Sequence, residues 1–295
     1  MGNYNVTGST PFRADDRSDS GKDTITGDDT ANWIYGGFDV DRIDGKGGDD
    51  YLDGGTHGDT IQGSAGNDTI VGGDEPTTIT GDSLYGGDGV DSIWGGKGND
   101  RIYGGAGDDD MLAGDDDSDT IQGDAGADYF YGGSGNDILY GDDPSGISTI
   151  TGNDHMRGGD GDDKIYGGPG DDRLIGEVGA DTLTGGAGRD TFIFDGLNVS
   201  SLSAPDVIVD FLQRTSSSLG DLISFDAIDA NPGLTGNQDF LFADKGNFVN
   251  DGVARVRWYQ SGTDTFVQAD TGNGVADLHI KLTGTYTLTV NDFDL

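Results

Sequence analysis

Gly86-Gly-Asp-Gly-Val-Asp-Ser-Ile-Trp94 runs straight into Gly95-Gly-Lys-Gly-Asn-Asp-Arg-Ile-Tyr103, and Gly167-Gly-Pro-Gly-Asp-Asp-Arg-Leu-Ile175 has the same form. The shared phrase is G-G-x-G-x-D-x-U-x, where U is a large apolar residue, and it recurs eighteen times between Ser18 and Ile193. A short, strict period signals stacked identical units. U is the only apolar requirement, met from Ile25 in the first copy to Phe192 in the last. In a three-residue strand x-U-x the side chains alternate, so U points inward and its neighbours outward. Two phrases then make one coil turn with a strand on each side. This predicts an all-β fold, a coil of about nine stacked turns over residues 18–194.

The sixth place of the phrase supplies the charge. It holds Asp23, Asn32, Asp41, Asp50, Asp59, Asp68, Asp82, Asp91, Asp100, Asp110, Asp119, Asp128, Asp137, Asp154, Asp163, Asp172, Asp181 and Asp190. Stacking sets each carboxylate over the one a turn later, at about the 4.8 Å spacing of strands. Such rows repel unless cations lie between them. Calcium suits them, because it takes six to eight oxygen ligands in flexible geometry, whereas magnesium demands a tight octahedron. The chain has 55 acidic against 16 basic residues, a formal net charge of −39 and 56 glycines. That composition favours disorder in the metal-free chain. Up to about sixteen ions, one per gap on each edge, would nearly neutralise it.

These repeats resemble the RTX family, glycine-rich nonapeptide proteins exported by bacterial type I secretion. The resemblance implies a parallel β-roll with calcium between successive loops. Backbone carbonyls would come from phrase positions two and four of one loop and one and three of the next, joined by both Asp side chains. Carried onto this chain, one site uses Gly168, Gly170 and Asp172 with Gly185, Ala187 and Asp190. Equivalent carbonyls lie at Gly96, Gly98, Gly133, Gly135, Gly159 and Gly161. The first turn is degenerate, with Asn32 in place of Asp, and should bind calcium poorly if at all.

Three insertions interrupt the phrase: Asp74–Asp82, Asp142–Asp154, and one extra residue within Asp108-Asp-Asp110. All three read as loop insertions, either tolerated excursions or a binding face. Tyr85, Tyr103, Tyr140 and Tyr166 recur at the ninth position, with Gln122 between, and Tyr35, Trp94 and Tyr131 occupy the other side. Such a row either stacks on ligand rings such as sugars or reflects the preference of aromatics for strands. Residues 1–17 read as a cap, with Pro11, Phe12, Arg13 and Arg17, or as a disordered leader.

After Phe194 glycine thins out, and short apolar segments predict an antiparallel cap over residues 195–295. The pieces are Asp206–Phe211, Asp221–Phe225, Phe240–Phe242, Ala254–Tyr259, Thr265–Gln268 and Leu278–Leu282. This tail resembles the C-terminal region of serralysin-type secreted metalloproteases. The resemblance implies an uncleaved export signal in the last residues, Asp292, Phe293, Asp294 and Leu295. Asp270–Asp277 is similar to a family calcium turn but one residue short.

The remaining features narrow the function. There is no cysteine, hence no disulfide or thiolate chemistry. The start carries no basic-then-apolar signal peptide, and Val6 breaks the myristoylation pattern. No apolar run is long enough for a membrane helix, and the acidic balance argues against nucleic acid. His57, His155 and His279 are scattered, without H-E-x-x-H, and read as surface residues. No nucleophile elbow or phosphate loop is present. The sequence therefore predicts a secreted, non-enzymatic calcium-binding protein acting on host or cell-surface material, with the type I export apparatus as a partner. A polysaccharide-binding module, or an accessory or inhibitor of a separate enzyme, stays open beside it.

Overall fold

The structure is a computed structural model, described for all residues except 1, 14–20, 75–79, 145–151, 197–198, 216–218, 226–227, 229–239, 244, 246–247 and 249–250. Arg17 and the interiors of both long insertions lie outside the described residues. No α-helix occurs among the described residues, and a single 3-10 turn spans Val290–Asp292. The chain divides into two compact units, Met1–Met156 and Arg157–Leu295.

In the first unit, alternate repeats pair in parallel and build two sheets. One sheet registers Ile25, Ile43, Ile61, Leu84, Ile102, Ile121 and Leu139. The other registers Ile34, Leu52, Ile70, Ile93, Leu112 and Phe130. All of these are at most 1 % exposed. The core is thus two lines of single side chains, each contributing about 1.5–3 kcal/mol by its burial. The strands are longer than the three residues the phrase suggests. Arg101–Ala106, for example, runs through U into the glycine pair of the next phrase. Ahead of the repeats, Asn3–Asn5 pairs with Thr24–Thr26 and Phe12–Arg13 with Ile34–Tyr35. The Tyr4 and Phe12 rings meet at 5.1 Å, and the Arg13 guanidinium lies over Tyr35.

In the second unit, Lys164–Pro169 pairs with Thr182–Ala187, and Arg173–Val178 with Thr191–Ile193, all in parallel. Beyond Phe194 the expected antiparallel strands are present, and parallel pairing stands beside them. Asp206–Ile208 joins Thr182–Ala187 in parallel, and Leu222–Ser224 joins Thr191–Ile193 in parallel. The parallel pairing therefore continues after the phrase has stopped. Among the described residues antiparallel pairing is confined to Arg255–Ser261, Asp264–Asp270 and Leu278–Leu282. Leu278–Leu282 pairs in parallel with Asp206–Ile208, as does the short Phe293–Asp294 with Leu222–Ser224. An alternating apolar segment fits either direction of pairing, so the pattern alone could not separate them.

Candidate metal centre

Every repeat loop ends on its sixth residue, and these residues are tied to one another. The backbone N–H of Asp23 donates to Asp41 Oδ1, Asp41 to Asp59, Asp59 to Asp82, Asp82 to Asp100, Asp100 to Asp119 and Asp119 to Asp137, at 2.6–2.8 Å. On the other edge the chain of bonds runs from Asn32 through Asp50, Asp68, Asp91, Asp109 and Asp128 to Asp154. Both long insertions are bypassed, so the ladder steps from Asp59 to Asp82 and from Asp128 to Asp154 without a gap. In the second unit Asp163 donates to Asp181, and Asp172 to Asp190.

Asp109, not Asp110, holds the ladder position. Asp109 is 1 % exposed and bonded on both sides, while Asp110 faces solvent. The extra residue sits at the entry to the strand rather than in the loop. Asp110 donates its amide to the Asp91 carbonyl, Met111 takes the register of Ser92, and Leu112 keeps its place in the core.

Two ladder members lie outside the repeats. Asp181 donates to Asp206 Oδ1 and Asp190 to Asp221 Oδ1. There the ladders stop on neutral acceptors: the Asp206 amide goes to Ser200 Oγ, and the Asp221 amide to the Leu212 carbonyl. At the opposite end the Asn32 amide is hydrogen-bonded through both its oxygen and its nitrogen. Its Oδ1 accepts from Asp28 N–H, and its Nδ2 donates to the Gly8 carbonyl and Asp28 Oδ1. Amide hydrogens thus satisfy oxygens that a cation would otherwise have to serve.

One carboxylate oxygen of each rung serves the ladder; the other faces inward over the glycine that opens the loop. A Cβ on Gly36 would lie 2.6 Å from the Gly54 carbonyl oxygen and 2.8 Å from Asp41 Oδ2. The same crowding recurs at Gly63 beneath Asp68 and at Gly114 beneath Asp119. Only glycine leaves this pair of oxygens the space they share. The Oδ2 atoms of Asp50, Asp68, Asp91, Asp109, Asp119, Asp128, Asp181 and Asp190 are buried without a hydrogen-bond partner. Burial pushes these carboxyls up, to about 6 for Asp50, about 7 for Asp68 and Asp128, about 8 for Asp109 and about 9 for Asp119. The ladder amide opposes the shift, and neighbouring carboxylates add to it in each of these.

An ionised carboxylate buried with an unserved oxygen is costly unless a cation accompanies it. No cluster of three or more His, Asp or Glu side chains able to hold a metal occurs among the described residues. A cation held here would therefore need backbone carbonyls beside the carboxylates. That all-oxygen donor set fits a hard cation such as calcium. The glycines named for their carbonyls adopt the required left-handed backbone at Gly96, Gly133, Gly159 and Gly168, with φ between 103° and 117°.

A second, exposed ladder runs the opposite way, which the sequence reading missed. Asn67 N–H donates back to Asp49 Oδ1, Val90 to Asn67, Ser118 to Asn99, Ala127 to Asp108, Ala180 to Asp162 and Arg189 to Asp171. The recurrent Asp or Asn at the fifth position of the phrase was its signal.

Of the tyrosine row, Tyr85, Tyr103, Gln122 and Tyr140 share one register in the first unit. The Tyr85 and Tyr103 rings stack on each other at 5.0 Å and 3°. Each therefore spends one face on its neighbour. Tyr166 lies in the second unit, opposite Thr184. The Asp270–Asp277 turn satisfies itself: Asp270 accepts from the Gly272, Asn273 and Gly274 amides, and Asp277 from Thr271 and Asn273. His279 is buried, not on the surface.

The description "RTX calcium-binding nonapeptide repeat (4 copies)" matches residues 18–52, 53–74, 77–111, 85–118, 113–143, 149–183 and 166–198, more than half of the chain. The chain belongs to the RTX calcium-binding repeat family. Two solved structures are similar to this RTX chain, both repeat subunits of the mannuronan C5-epimerase of Azotobacter vinelandii. AlgE6R3 is 26 % identical with a TM-score of 0.33, over 61 % of this chain and 79 % of that one. AlgE6R2 is 24 % identical with a TM-score of 0.34, over 62 % and 90 %. No curated protein matches the chain. Its repeats are of the calcium-binding kind.

Proposed function

We propose that this RTX protein is secreted and non-enzymatic, and that calcium outside the cell folds it to act on surface material there. The observation that carries the reading is the buried Oδ2 atoms without a hydrogen-bond partner at Asp50, Asp68, Asp91, Asp109, Asp119, Asp128, Asp181 and Asp190. Where calcium is scarce these carboxylates repel, and two thin apolar lines cannot offset the entropy of ordering so glycine-rich a chain. Millimolar calcium, the range of extracellular sites, removes the repulsion and drives folding. Export in the unfolded state by a type I apparatus follows from the serralysin-like tail, with Asp292–Leu295 as the signal. Asp292 is fully buried and Phe293 nearly so in the folded chain. Such a signal is legible to an exporter only before folding.

Circular dichroism with excess chelator and with about 5 mM calcium tests the reading. The β signal should be largely absent in the first and full in the second, and magnesium should not replace calcium. A full β signal in chelator would falsify it.

A further inference from the structure

Outside the ladders, the outer face of one sheet carries a pair of carboxylates that the repeat phrase does not call for. Asp124 and Asp142 hold the second place of their loops, where the two preceding strands have Gly87 and Gly105 in the same register. They stand opposite each other on neighbouring parallel strands, at about the 4.8 Å spacing of strands. Gln122 and Tyr140 pair beside them, since side chains two residues apart share a face.

Acids at the second and ninth places elsewhere in the repeats have bases beside them. Asp44 meets Lys46 Nζ at 2.5 Å and accepts from Ser64 Oγ. Asp53 lies in the field of Arg13, and Glu177 pairs with Arg157. Among the described residues no lysine or arginine serves Asp124 or Asp142. Asp124 Oδ1 accepts from the Gln122 side-chain amide. Asp142 is only 7 % exposed, and neither of its oxygens has a partner in hydrogen-bond geometry. Burial pushes it up to about 6; the nearby Gly152 amide opposes the shift and Asp124 adds to it. A carboxylate buried in this way, one strand from a second, is costly to ionise unless a cation joins it. Calcium accepts such a pair readily, because its geometry is flexible and water fills the rest of its six to eight places.

We propose that Asp124 and Asp142 bridge a divalent cation, calcium in the medium that folds the repeats, at a site separate from the ladders. The ladder carboxylate of the same loop, Asp128, turns inward over Gly123, whereas this pair stands on the outer face with Gln122. Native mass spectrometry of the full chain in saturating calcium counts the ions. Asp142→Asn keeps the shape of the side chain and should lower the count by one, with the β signal in circular dichroism still full. Gln122→Lys sets an ammonium two residues from Asp124, as Lys46 stands two residues from Asp44. It too should displace one ion, and it keeps the site testable if Asp142→Asn disturbs its loop. An unchanged count in either folded variant overturns the proposal. A parent chain that takes up no calcium would overturn the ladder reading as well, whereas an unchanged count on a loaded chain removes this site alone.

Discussion

Residues 41–137 and residues 251–282 solve the burial of polar groups in opposite ways. The first stretch buries a carboxylate in every loop, and at Asp68, Asp109 and Asp119 one oxygen is left without a hydrogen-bond partner. The second buries Gln268 and His279 in a network that closes on itself through Arg257. It answers its acids with bases: Asp251 with Arg255 and Asp264 with Lys281. Among its described residues only Trp258 Nε1 is a buried side-chain polar atom without a hydrogen-bond partner. The repeats thus leave buried oxygens that nothing in the chain serves, and the antiparallel strands do not. A calcium-binding fold can in this way be conditional in one part and unconditional in another.

The largest expected effect tests whether the last residues belong to the unconditional part. Resemblance assigns Asp292–Leu295 to export alone, but the structure also gives them a place in the fold. Phe293 packs against Phe225 and Phe242, and Asp292 accepts from the Arg214 amide and from Thr289. Deleting the four residues removes a buried aromatic and strips the Arg214 amide of its acceptor. The cost should be about 3–5 kcal/mol, the range for Phe-to-Ala in a core. Phe293→Ala alone should give most of it. Hydrogen exchange in saturating calcium reads the outcome. Protection should fall at Leu222–Phe225 and stay unchanged around Ile61, because stacked repeats feel only near neighbours. Unchanged protection at Leu222–Phe225 would return these residues to a purely export role.

A smaller effect separates rungs within the repeats. Asp119→Ala leaves the Asp100 amide without its acceptor and removes a carboxylate from the ladder. An unpaired buried amide costs about 1–3 kcal/mol. The calcium midpoint should therefore rise by roughly tenfold, at 1.4 kcal/mol per decade. Asn32→Ala loses bonds to Asp28 and Gly8 only. It should cost about 1 kcal/mol, and because a loss at the end of the stack only frays it, the calcium midpoint should stay nearly unchanged. Equal midpoint shifts in a calcium titration would remove the distinction between rung and end.

What was legible in the sequence was whatever the period imposes. The U residues and the carboxylate spacing follow from nine-residue repetition, and both insertions leave the ladder intact because stacking forces it. Asp109 was missed because three consecutive aspartates, Asp108 to Asp110, look alike on paper. Only the strand register chooses among them. Asp206 and Asp221 were missed because no glycine phrase precedes them, although their strands pair as repeats do. His279 gave no sign of burial, since its partners Gln268 and Arg257 come from other strands.

The smallest effect, and the one that divides the two regions by sign, is pH. Burial raises the ladder carboxyls from 3.8 to about 7 at Asp68, about 8 at Asp109 and about 9 at Asp119. A group held higher in the folded state binds its proton more tightly there. Its stabilisation is complete below the unfolded value and is lost as pH rises through the folded one. The calcium-free repeats should therefore gain β structure on acidification from pH 8 to about pH 4, as protons stand in for calcium. Asp251 runs the other way. Its Arg255 partner lowers it to about 2, so its contribution is present above 3.8 and disappears as pH falls toward 2. Protons and calcium compete for the same ladder oxygens, so calcium affinity should climb with pH over the range in which the bare repeats weaken. Circular dichroism of the chelated protein between pH 8 and pH 4 is the measurement. A β signal that stays flat or falls on acidification would mean that the ladder carboxylates are solvated in the metal-free chain. The contrast between the two regions would then rest on hydrogen bonding alone.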